Sequence, residues 1–122
     1  MANELRMNIG VTYANGAMAD TASSSFGVNQ NTLQFQGDVI TVSSSAEADL
    51  GTSNITTLGW LYLKNLDPTN FVKWGPKSGG VMVAMGRLKA GESVLLRLEP
   101  GITLRWIADT ASVKVQTKIY AD

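Results

Sequence analysis

The chain has 122 residues, in which ten Lys+Arg balance ten Asp+Glu and both cysteine and histidine are missing. That length suits a single domain spanning 1–122, and the missing side chains exclude disulfide scaffolds, zinc and iron–sulfur sites, and Cys- or His-based nucleophilic catalysis. Zero formal net charge argues against nucleic acid as the main partner, no apolar run approaches the ~18 residues of a membrane helix, and the first residues lack the layout of a signal peptide. The expectation is a soluble, non-enzymatic protein made without export.

In Glu4 to Ala14 the larger apolar residues Leu5, Met7, Ile9, Val11 and Tyr13 fall at every second position. That is a strand with one face buried and one wet, ended by Asn15-Gly16. Residues 15–32 are small and polar, with Met18, Phe26 and Val28 scattered singly. This stretch reads as a long loop or arm that lies on a neighbour, anchored by Phe26 and Val28.

Beyond it the chain becomes short strands with legible turns. Leu33–Gln36 leads through a Gly37-Asp38 turn or bulge to Val39–Val42, and the polar 43–52 stretch holds at most one short strand. Leu58–Leu66 is apolar on both parities in its middle, which predicts a central strand. Asp67-Pro68-Thr69-Asn70 is a turn by its chemistry. Phe71–Trp74, Val81–Leu88, Ser93–Leu98, Ile102–Ile107 and Ser112–Ala121 follow, separated by the Gly75–Gly80, Lys89–Glu92, Glu99–Gly101 and Ala108–Ala111 turns. Eight or nine short strands at this spacing predict an all-β, antiparallel β-sandwich, jelly-roll-like, with the first and last strands inside the fold.

Charge is unevenly placed: residues 1–57 set Arg6 against five carboxylates, and residues 58–122 set nine cations against five. An acidic patch on one copy meeting a basic patch on the next is one consequence, dispersal over a solvated surface the other. Asp67, Glu92, Glu99 and Asp109 all sit in predicted turns, where they cap amides rather than form a catalytic pair. Asp67 and Asn70 lack the alternating acidic ligands of a calcium loop, and Gly75–Gly80, although it holds Lys77 and Ser78, does not match phosphate-cradle spacing. No catalytic, metal or cofactor site is expected. Trp60, Trp74 and Trp106 stay open between core packing, a subunit interface and a carbohydrate platform.

The segments LGWLYLKNLDPTNFVKWG (58–75) and GRLKAGESVLLRLEPGITLRWIADTASVKVQTKIY (86–120) resemble a family of small structural proteins of tailed bacteriophages. The resemblance rests on Gly59, Asn65, Leu66, Asp67, Thr69 and Asn70–Val72; on Leu88, Lys89, Gly91, Glu92, Leu96–Leu98 and Pro100; and on Ala108–Ala111. It covers about half of the chain, and residues 1–57 match only in their alternation. It implies a virion component, assembled in the bacterial host cytoplasm and working through protein–protein contacts. A capsid decoration or cement protein on the outer head surface is the first placement, bound to the major capsid protein as a homotrimer or other homo-oligomer. A tail, neck or baseplate accessory protein is the second, and a carbohydrate-binding module, resting on the tryptophans, the third. The interface residues expected are Phe26, Val28, Trp60, Trp74 and Trp106.

Overall fold

Every strand pairing is antiparallel in the computed structural model, which describes residues 4–122. The chain is all-β: eleven strands form three sheets among the described residues, and the chain divides into two units, Met1–Asn31 and Thr32–Asp122.

The first unit is a hairpin of β1 (Leu5–Asn15) and β2 (Met18–Val28), paired from Leu5↔Val28 to Asn15↔Met18. Of the long loop or arm expected over 15–32, the loop conformation is corrected, since Met18–Val28 is strand. Gly16 holds φ at 61° in the two-residue connection, the left-handed conformation that tight hairpin turns require at their first central position. β1 pairs with β2 alone and is exposed along most of its length, so the buried face expected of it is also corrected.

The second unit carries two sheets. One runs β3 (Phe35–Val42), β11 (Val113–Ala121), β5 (Leu58–Asn65), β9 (Ser93–Arg97). The other runs β4 (Ala48–Asp49), β10 (Leu104–Ala108), β6 (Val72–Ser78), β7 (Val81–Met82), with β8 (Gly86–Leu88) also on β6. The count exceeds eight or nine because β2 was taken for loop and because the 81–88 run divides into two short strands. Gly37-Asp38 makes no turn: β3 runs straight through, and the Phe35 ring covers Gly37 so closely that a Cβ there would lie 2.8 Å from its Cζ.

Alternation sorts the side chains of both sheets. Leu61, Leu63, Val113, Val115 and Ile119 from one, and Val72, Trp74, Leu104, Trp106 and Ala108 from the other, share a single apolar core. The two-residue β4 is pinned by charge rather than by packing. Arg105 Nε donates to Asp49 Oδ1 at 2.7 Å, and its Nη1 donates to Glu47 Oε1 at 3.3 Å and to the Gly80 carbonyl at 2.8 Å. The Arg105 hydrogen bond holds the Asp49 carboxyl below its ordinary range, and Asp49 in turn raises Arg105.

The Asp67 turn is closed by its own side chain. Asp67 Oδ1 accepts from the Asn70 amide at 2.6 Å and from the Thr69 amide at 2.8 Å. Those two amides hold the carboxyl below its ordinary 3.8, the Asn70 bond contributing most. A depressed folded-state pKa stabilises above the unfolded value, and that contribution is lost as pH falls through the folded value. The melting-temperature gap between the wild type and Asp67→Asn is therefore expected to be present at neutral pH and to close below about pH 4. A gap that stays constant down to pH 2 refutes the charge-assisted turn.

Candidate functional site

In an antiparallel pair, directly opposed residues share a face, so the register assigns each side of the hairpin. One face carries Leu5, Met7, Ile9, Val11, Tyr13 and Asn15 on β1, and Val28, Phe26, Ser24, Ala22, Asp20 and Met18 opposite them on β2. The other carries Arg6, Asn8, Gly10, Thr12 and Ala14 against Gly27, Ser25, Ser23, Thr21 and Ala19. The ribbon is thus amphipathic across its thickness, and its apolar side is open: Val11 is 58% exposed and Met18 66%, with Ile9, Tyr13 and Phe26 exposed beside them. Met7, opposite Phe26, is buried.

Polar contacts stiffen the ribbon. Ser25 Oγ donates to Asn8 Oδ1 at 2.8 Å across the polar face, and the Gln30 amide donates to Glu4 Oε2 at 3.1 Å near the base. The backbone amides of Glu4 itself and of Gln30 hold the Glu4 carboxyl below its ordinary value. A two-stranded hairpin is marginal alone in water, and this one leaves an apolar stripe exposed along most of its length.

The five residues expected at an interface separate into three places. Phe26 and Val28 lie together on the apolar hairpin face. Trp60 lies half-buried on the outward side of β5. Trp74 and Trp106 are opposed across β6 and β10 and belong to the core cluster, 7% and 3% exposed, so of the readings left open for them core packing is the one their burial favours. Ile9, Val11, Tyr13 and Met18 were not expected as contact residues. Their signal was the Asn15-Gly16 pair, which pairs strand with strand once 18–28 is read in mirror register.

A groove of about 490 Å³ between β8 and β9 is lined by Trp74, Arg87, Leu88, Glu92 and Ser93, but Glu92 accepts from the Lys89 amide at 2.7 Å and closes its own turn. Among the described residues, no three or more His, Cys, Asp or Glu side chains converge as metal ligands. Comparison with protein-family models, curated proteins and solved structures returns no match to this chain.

Proposed function

We propose that the chain is a non-enzymatic structural protein of a tailed-bacteriophage particle. In this reading it is a capsid decoration protein that stabilises the outer head surface and docks through the apolar face of its β1–β2 hairpin. The body is read as a jelly-roll-like sandwich, supported by the single core to which both larger sheets contribute. The exposed hairpin face carries the functional part of the proposal. The resemblance of 58–75 and 86–120 to phage structural proteins supplies the setting. Several of the residues that carry it lie at the Asp67 and Glu92 turns, whose side chains close those turns.

Area arithmetic favours a broad partner surface. Eleven residues at ~3.4 Å rise and two strands of ~5 Å width present roughly 370 Å². Two such faces laid together give roughly 750 Å², short of the ~1,200 Å² of a stable complex. The hairpin therefore meets more than the same face of a second copy, as it would on a capsid lattice, and a trimer adds contacts elsewhere.

The test is quantitative mass spectrometry of purified particles of the phage that encodes the chain. Hundreds of copies per particle support decoration, a dozen or fewer move the chain to neck or tail, and its absence from the particle refutes the proposal. Within that assay, Ile9→Asp with Val11→Asp is expected to lower particle affinity by at least about 100-fold, since ~1.5–3 kcal/mol of apolar burial is lost at each position. The polar-face pair Asn8→Asp with Thr21→Asp, whose positions are not opposed and which keeps an acceptor for Ser25, is expected to leave occupancy near wild type.

A further inference from the structure

The outward side of the four-stranded sheet is set by register. Lys114, Gln116, Lys118 and Tyr120 point away from the core on β11, because Val113, Val115, Thr117 and Ile119 point into it. Their partners continue the same face: Thr41, Val39, Gly37 and Phe35 on β3, and Lys64, Tyr62 and Trp60 on β5. β9 adds Ser93, Leu95 and Arg97. None of these positions is a carboxylate, and four of them, Lys64, Lys114, Lys118 and Arg97, are cations. In a chain of zero net charge such a face is a local excess of cations, met by carboxylates at its margin in Asp122 beside Arg97 and Asp38 beside Lys118.

Arg97 is bridged to Asp122 at 2.7 Å, whereas Lys64, Lys114 and Lys118 form no ion pair among the described residues. One row of the face is aromatic. Phe35 stacks on Tyr120 with centroids 5.2 Å apart, the Lys118 ammonium lies 5.8 Å from the Phe35 ring, and the Arg97 guanidinium lies 5.6 Å from the Trp60 ring. Phe35 and Val39 remain exposed at the β3 edge.

We propose that this sheet face is a second docking surface, and that it takes an acidic protein surface whose carboxylates meet Lys64, Lys114 and Lys118 around a Phe35–Tyr120 anchor. Charge complementarity selects an anionic partner, and aromatic side chains with arginine are the residues that concentrate binding energy in protein interfaces. A single-stranded nucleic acid fits less well. Base stacking needs open ring faces, whereas here Phe35 already stacks on Tyr120 and lies against Gly37, and the Arg97 guanidinium sits 5.6 Å from the Trp60 ring. The zero net charge also removes the long-range attraction to phosphate that nucleic-acid binders rely on.

The experiment titrates the full chain with a glutamate homopolymer and, separately, with oligo-thymidine, following intrinsic tryptophan fluorescence at low and high salt. The expected result is salt-sensitive binding of the polyglutamate, weakened at least about tenfold by Lys114→Glu with Lys118→Glu. The equally charged control, Lys73→Glu with Lys89→Glu, is expected to bind like the wild type. If circular dichroism shows that the Glu pair disturbs the fold, Lys114→Gln with Lys118→Gln is read instead, with a smaller loss in the same direction. Equal loss in the control, no polyglutamate binding at low salt, or tighter binding of oligo-thymidine overturns the proposal. None of these outcomes touches the hairpin, so the particle-docking reading is tested separately.

Discussion

Trp106→Ala is expected to cost about 3–5 kcal/mol, the range for removing a buried indole from a well-packed core. Trp106 is 3% exposed and lies in register between Trp74 on β6 and Ala48 on β4. Its loss opens a cavity in the middle of the β4-β10-β6 sheet, where the short β4 has few other apolar contacts to close it. For a chain of this size each kcal/mol shifts the melting temperature by about 4 °C, so a drop of roughly 12–20 °C is expected. Against a total stability of about 5–15 kcal/mol, the variant is close to unfolding at 37 °C. Near-ultraviolet circular dichroism and thermal melts check this. A variant that keeps its spectrum and melting temperature while losing oligomer mass would place Trp106 at an interface and contradict its burial.

The same residue shows where sequence reading stops. Trp60 on β5 and Trp106 on β10 both sit in alternating strings, and alternation separates two faces without saying which is covered. Trp106 shares its parity with Leu104 and Ala108, all buried, whereas Trp60 shares its parity with Tyr62 and Lys64. The lysine was the available signal for the outer face of β5; β10 has the equivalent in Arg105. The central place of β5 was legible because Leu58 to Leu63 is apolar on both parities, and it does lie between β11 and β9. The alternation of Val113 to Ala121 was likewise legible and sets β11 with its valines and isoleucine inward.

The hairpin was half legible. Leu5 to Tyr13 alternates strongly enough to identify β1, but the inference that an apolar face must be buried within the same chain does not hold for Ile9 and Val11. β2 was missed because Ala19 to Ser25 has little intrinsic strand preference. Its conformation comes from pairing with β1 through the Gly16 turn, and strand propensity is mostly a record of such context.

Asn65 makes the second large prediction. Its side chain is fully buried at the end of β5, and all of its hydrogen-bonding groups are engaged. Nδ2 donates to the Asn70 carbonyl at 2.9 Å and to the Leu88 carbonyl at 3.0 Å, while Oδ1 accepts from the Asp67 amide at 2.8 Å. One side chain thus ties the β5 end to the Asp67 turn and to β8 in the other sheet. Asn65→Ala leaves two carbonyls and an amide without partners, at about 1–3 kcal/mol for each one that stays dry, so a total near 3–5 kcal/mol is expected. Asn65→Asp separates geometry from chemistry. It keeps the shape and the acceptor for Asp67, but turns an oxygen toward the two carbonyl oxygens and buries a charge. Burial raises the folded-state pKa of the new carboxyl above its unfolded value. Its destabilisation is therefore smallest below the unfolded pKa of about 4, grows as pH rises toward the folded value, and is complete above it. The expected result is that Asn65→Asp loses melting temperature relative to Asn65→Ala as pH is raised from 4 to 8, ending as the less stable of the two. Parallel melting curves for the two variants across that range would mean that water reaches Asn65 and that the tie between the sheets is weaker than its geometry implies.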